Sequence, residues 1–290
     1  MPDQTIPQPM RKTVHNPLAN YFRQPKLYLK LPSKGKFYPE GSLDISETEE
    51  YPVFAMTAKD ELMFKTPDAL MNGAATVEVI KSCVPAIKNP WLMPSIDMDP
   101  VLIAIRIATY GERMEVKSSC PACDHRNEYD INLLSFLDKV GDFVYNDTLA
   151  VSELKLNIRP YTYKELTKIA IKTFEQQKLI AIVNDNELSD EEKVAKFGES
   201  FVNLTGMTVD VVVNCIDSIE TPDGTVTDKA MLKEFMENTS SEIFNLVNDQ
   251  IKEMKDIMAL KAEGVECEEC QHKFTLEIAM DQTNFFVVGS

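Results

Sequence analysis

Hydrophobic and polar positions alternate first near the N-terminus. Leu27, Leu29 and Leu31 interleave with Lys26, Tyr28 and Lys30, a period of two that predicts a half-buried strand. Ser33-Lys34-Gly35 supplies the turn after it, and residues 51–57 (YPVFAMT) predict a second strand. Thr57 followed by Asp60 is a capping-box pattern and opens a short helix. Thr66-Pro67 sets a cap ahead of proline at the first helical position, for a helix with Leu70, Ala74, Val77, Ile80 and Val84 on one face. Residues 89–100 form a proline-punctuated loop. Asp99-Pro100 then opens an apolar helix over residues 101–110, which Gly111 stops.

Further along, Tyr129, Ile131 and Leu133 alternate in a strand, and residues 153–161 predict another. From residue 163 the spacing turns helical, with helices expected over 163–183, 189–204, 208–219, 228–237 and 240–262. Ser189 with Glu192, and Thr239 with Glu242, repeat the capping-box pattern, and residues 221–224 (TPDG) form a turn. In the last long helix Ile243, Val247, Ile251, Met254 and Met258 make one stripe. It is too short for a coiled coil and reads as ordinary core. Together these elements predict an α+β protein. Residues 1–20 form a flexible arm, and 21–135 a small N-terminal β-containing module with helices. Residues 136–262 make a mostly helical insertion, and 263–290 hold a short terminal unit ending in a strand.

Charge changes this picture in one place. Residues 11–39 carry Arg11, Lys12, Arg23, Lys26, Lys30, Lys34 and Lys36 and no carboxylate. The other 23 basic residues face 46 acidic ones, for a net charge of −16 over 290 residues. A basic arm on an acidic body suits docking to an acidic surface such as a neighbouring copy; packing of the arm on its own body is the alternative. A net-acidic chain makes nucleic acid and anionic membranes poor partners. No apolar run reaches the roughly 20 residues that span a bilayer, and the first ten residues have no apolar signal region. The expectation is a reducing cytosol, where close cysteine pairs read as metal ligands rather than disulfides.

Two such pairs are present. Cys120-Pro-Ala-Cys123 and Cys267-Glu-Glu-Cys270 each follow a valine closely. In each, a histidine stands two residues on, His125 or His272, and an alternating strand follows: Tyr129/Ile131/Leu133 or Phe274/Leu276/Ile278. Two knuckles of this form build a split zinc ribbon in which Cys120, Cys123, Cys267 and Cys270 hold one structural Zn²⁺ through four thiolates. Between Cys123 and Cys267 lie 143 residues, so the metal would clamp the ends of the inserted domain. A thioredoxin-like redox pair is the rival, but neither pair heads a βαβ unit. Both histidines read as exposed or supporting residues outside the ligand set, and Cys83 and Cys215 as buried small hydrophobes.

Catalytic patterns are missing: there is no HExxH, GxSxG, GxGxxG or phosphate loop, and His15 lies in the arm. No catalytic residue or organic cofactor is assigned, and the expectation is not an enzyme. Several stretches in order, NPLANYFRQPKLYLKLPSKGKFYPEG, FAMTAKDELMFKTPDALMNG, VIKSCVPAIKNPWLMPSIDMDPVLIAIRIATYGERMEV and CPAC, resemble the baseplate hub proteins of T4-like contractile-tailed bacteriophages. The resemblance covers about residues 16–135, with the second CxxC near the end. It implies a non-enzymatic structural subunit or assembly factor of the baseplate hub. Its partners would be other phage tail or hub proteins, with the tape measure protein as one candidate; a second copy of the chain is the candidate that the basic arm adds. Its place would be the host cytoplasm during assembly and the virion tail. The alternative from another class is a zinc-ribbon adaptor for nucleic acid or a polymerase. Such a ribbon needs basic and aromatic residues around its knuckles, whereas the second knuckle here carries Glu266, Glu268 and Glu269.

Overall fold

The computed structural model describes residues 18, 21–65, 73–140, 143–183, 189–256, 258–278 and 285–286. His15, most of the 1–20 arm, and the Thr66-Pro67 cap with Leu70 fall outside them. The N-terminal strands form as the alternation requires. Strand β1 (Pro25–Lys30) pairs antiparallel with β2 (Glu50–Phe54), setting Leu29 opposite Tyr51 and Leu27 opposite Val53. Leu29, Tyr51 and Val53 are buried. Helix α1 (Ala58–Phe64) starts at the Thr57–Asp60 capping box. Helix α2 (Ala74–Cys83) and helix α3 (Ser95–Tyr110) complete this unit.

Helix α3 begins five residues earlier than Asp99-Pro100 suggests, with Pro94 as its N-cap and Pro100 inside it. The first turn is closed by Asp97 N–H donating to the Pro94 carbonyl at 3.0 Å, so only one rung of the ladder lacks the donor that Pro100 cannot supply. Nearly every α3 side chain is buried, including Asp97. That carboxylate accepts from Ser33 N–H at 2.9 Å and from Ser33 Oγ at 2.5 Å, fastening the turn after β1 to the helix.

Strands β3 (Arg113–Ser119) and β4 (Arg126–Asn132) form an antiparallel hairpin, followed by α4 (Leu134–Val140). Strands β5 (Thr148–Val151), β6 (Leu154–Ile158), β7 (Ile216–Thr221) and β8 (Gly224–Val226) make one antiparallel sheet in that order. Between β6 and β7 run α5 (Tyr163–Val183) and α6 (Asp190–Asn214); α7 (Lys229–Asn238) and α8 (Ser241–Asp256) follow the sheet. A second hairpin, β9 (Lys261–Glu266) with β10 (Lys273–Glu277), closes the series.

Three expectations for this region are corrected. Residues 189–204 and 208–219 are not two helices: α6 runs unbroken to Asn214, and 216–221 is strand β7. The sheet register shifts at Asn157/Ile158, which turns both Ile216 and Ile219 inward. A spacing of three therefore imitates a helix face. Helix 240–262 stops at Asp256, and Lys261 already belongs to β9. Ser240, not Thr239, supplies the side-chain oxygen at the start of α8, accepting from Ile243 N–H at 3.4 Å. The Ser189–Glu192 box and the 221–224 turn form as read.

Buried side chains gather in two clusters. The first joins β1, β2, α2 and α3 to Leu133, Leu260, Leu276, Ile278, Phe285 and Phe286. The second holds Val140, Leu156, Ile158, Ile216, Ile219 and Met236, with Val247, Ile251, Met254 and Met258 of the predicted stripe. Ile96 of α3 belongs to the second cluster, while most of the helix packs in the first, so α3 ties the two together. The chain's end returns to the N-terminal unit, where Phe286 stacks on Phe64 at 4.5 Å.

Candidate metal centre

Each CxxC sits in the turn of its own hairpin. In the first, Cys120 N–H donates to the His125 carbonyl at 2.9 Å and Asp124 N–H to the Cys120 carbonyl at 2.9 Å. In the second, Cys267 N–H donates to the His272 carbonyl at 3.0 Å and Gln271 N–H to the Cys267 carbonyl at 2.9 Å. Asp124 and Gln271 both adopt φ of 58°, the left-handed conformation that lets the chain double back after the second cysteine. The knuckles are the same local structure built twice.

The hairpins bring these turns together. Cys120 Sγ lies 3.7 Å from Cys270 Sγ, and Cys123 Sγ lies 3.7 Å from Cys267 Sγ. All four sulfurs lie within 4.8 Å of one another. Two sulfurs at that distance are not bonded, since a disulfide needs about 2.05 Å. A tetrahedron with metal–sulfur bonds of about 2.3 Å has edges of about 3.8 Å, so the cage has the dimensions of a tetrathiolate site. Cys120 and Cys267 are buried; Cys123 and Cys270 face outward.

Electrostatics favour a cation at this place. Backbone N–H groups of Cys270 and Glu269, with the Asn127 side-chain amide, draw the Cys267 thiol down to about 6. The His125 N–H also pulls on Cys123, but the Cys270, Cys267 and Cys120 sulfurs around it push that thiol up to about 12. Four thiols at this spacing cannot all ionise alone, because each thiolate opposes the next. A divalent cation at the centre would reverse the sign of that coupling.

Asn127 is a site residue that the sequence reading passed over. It is buried, its Nδ2 donates to the His125 carbonyl at 3.0 Å and approaches Cys267 Sγ at 3.6 Å, and its Oδ1 accepts from Glu268 N–H at 3.0 Å. One amide thus stitches the two knuckles together. The available signal was a polar residue on the inward phase of a strand whose next inward members are Tyr129 and Ile131. The equivalent position of the second knuckle is Phe274, whose ring meets Tyr129 edge-on at 6.1 Å. Asn127→Ala is expected to weaken metal binding about 10–100-fold, the usual cost of losing a group behind the ligands. Asn127→Asp should be worse than Ala, because it turns a carboxylate toward the Cys267 sulfur. Chelator competition on both variants measures the order.

His125 and His272 have exposed side chains and contribute their backbone carbonyls to the turns. Cys83 and Cys215 are fully buried, and burial raises the Cys83 thiol to about 12. Among the basic residues of 11–39, Arg23 reaches Asp60 at 3.7 Å, Lys30 reaches Glu50 at 3.9 Å and Lys36 pairs with Asp147. Part of that charge is therefore met by the chain's own body. No helix among the described residues is long and apolar enough to cross a membrane.

Fold and site define an α+β protein in which two hairpins, with 143 residues between Cys123 and Cys267, meet at one thiol cage. The T4 bacteriophage base plate protein family matches the chain over residues 23–287, and the chain belongs to it. Membership gives it a structural role in the base plate of a phage tail, in contact with other tail proteins. Neither a curated protein nor a solved structure matches the chain.

Proposed function

We propose that this base plate protein acts in the hub, as a structural subunit or assembly factor, and works by protein–protein contact without turnover. The family match across nearly the whole chain carries the reading. The four-cysteine cage supports it: a metal held by four protein ligands keeps no open position for substrate. Zn²⁺ is the ion that suits four thiolates in a tetrahedron. Cys120, Cys123, Cys267 and Cys270 would hold it, joining the N-terminal module (21–135) to the terminal unit (263–290) and fixing the base of the inserted lobe (136–262). Two surfaces held in fixed relation can engage one partner together, which raises their effective concentration. Assembly would take place in the host cytoplasm, with hub and tape measure proteins as partners.

A tagged copy drawn from infected cells tests this. Hub, tube-initiator or tape measure proteins should come down with it and survive nuclease treatment. Recovery dominated by nucleic acid or polymerase subunits, lost with nuclease, would replace the hub reading with the adaptor reading.

A further inference from the structure

The two-stranded β1–β2 ribbon packs one face on α3 and leaves the other open. Lys26, Tyr28 and Lys30 share the open face by the strand's period of two, and all three are exposed. Tyr28 is 63% exposed, and Tyr21 and Phe22, just ahead of the strand, are 84% and 58% exposed. On the β2 side Pro52 and Phe54 are half-covered, with the Arg23 guanidinium 5.6 Å above the Phe54 ring. Exposed aromatics beside an arginine have the composition of an interface rather than of a solvated strand, and the lysines around them add charge that steers an encounter. The charge there is incompletely met: Lys26 has no ion pair among the described residues, and Lys30 reaches Glu50 only at 3.9 Å.

The paired knuckles carry an excess of the opposite charge. Asp124, Glu263, Glu268 and Glu269 are exposed there with no ion pair among the described residues, against one such cation, Arg126, while Glu266 has Lys273 at 3.6 Å. Residues 121–126 and 268–273 are exposed without interruption, so nothing among the described residues covers the tip. Four thiolates around one divalent cation would add two further negative charges. For those two charges the inference rests on the metal proposed above; for the carboxylates it does not.

We propose that the aromatic and basic face of the β1–β2 ribbon is a docking surface for the acidic knuckle tip of a second copy of this chain. Complementary charge steers the encounter, and Tyr21, Phe22 and Tyr28 supply the apolar contact that holds it. The two patches differ, so the contact is head-to-tail and leaves one free patch at each end. Repetition gives a ring if the rotation closes and an open chain otherwise.

Sedimentation velocity of the full-length, zinc-analysed protein tests it at about 50 mM and about 0.5 M salt, since screening at the higher value cuts the reach of charge to under roughly 5 Å. Association that grows with concentration and fades in high salt is expected. Lys26→Glu with Lys30→Glu, or Glu268→Lys with Glu269→Lys, should each weaken it by about tenfold or more. Mixing the two variants should restore a complex, because the untouched tip of one meets the untouched ribbon of the other. All four residues are exposed, so folding is not at stake, and the metal content of each sample separates loss of the site from loss of the contact. The inference is overturned if the wild type stays monomeric up to about 100 µM in low salt. It is equally overturned if the reversals leave association unchanged, or if the mixed variants fail to associate.

Discussion

Cys267→Ser is expected to empty the metal site and loosen both hairpins at once. The purified wild-type chain should carry close to one equivalent of zinc. In the variant the content should fall well below half, with affinity lost beyond the 10–100-fold typical of a residue behind the ligands. Folding and metal binding are coupled in such sites, where a structural zinc is worth roughly 10–16 kcal/mol in small knuckle peptides. The effect should therefore appear as lost protection of the β3–β4 and β9–β10 amides and a lower melting temperature. Cys120→Ser should do the same from the other hairpin, since its sulfur is 3.7 Å from that of Cys270. Combining the two should add little, because residues acting as one site are not additive. Cys83→Ala, in the core and away from the cage, should keep its zinc. A folded, reduced, chelator-free wild type with almost no metal would sink the assignment.

Asp97 is expected to dominate the pH dependence of stability in the N-terminal unit. Burial raises its carboxyl from 3.8 to about 6, against the pull of the two Ser33 hydrogen bonds. The folded chain thus binds a proton between about 4 and 6 that the unfolded chain has released. The stability this group contributes is complete below about pH 4 and is lost as pH rises through about 6. A shift of this size corresponds to about 3 kcal/mol. Asp97→Asn keeps an acceptor for Ser33 N–H and removes the ionisation. Its unfolding midpoint should change less between pH 4.5 and pH 7.5 than the wild type's. Asp97→Ala leaves Ser33 N–H and Oγ without their acceptor inside the core. It should cost about 2–3 kcal/mol near pH 4.5, and less as pH rises through about 6 and the wild type loses the Asp97 contribution itself. Equal slopes in wild type and Asn variant, by denaturant unfolding at several pH values, would mean that Asp97 is already ionised throughout.

The sequence by itself determined whatever neighbouring residues decide. Leu27, Leu29 and Leu31 set β1 because a strand needs only alternation. Thr57–Asp60 and Ser189–Glu192 fixed two helix starts because a capping box closes within four residues. The twice-repeated Cys-x-x-Cys with its following strand singled out the four cysteines whose sulfurs come within 4.8 Å of one another, and their two knuckles, since each turn is locally complete. Tertiary structure decided the rest. Whether residues 216–221 would be helix or strand depended on β6, sixty residues away, whose register shift turns Ile216 and Ile219 to one side. The early start of α3 depended on burial of its first turn, where Asp97 holds Ser33 across 64 residues. Asn127 acquired a role only when the second knuckle put Glu268 N–H and Cys267 Sγ within its reach. Periodicity and caps record interactions a few residues long; bulges, buried polar contacts and a cage closed across 143 residues are settled by which distant surfaces meet, and no local pattern encodes that.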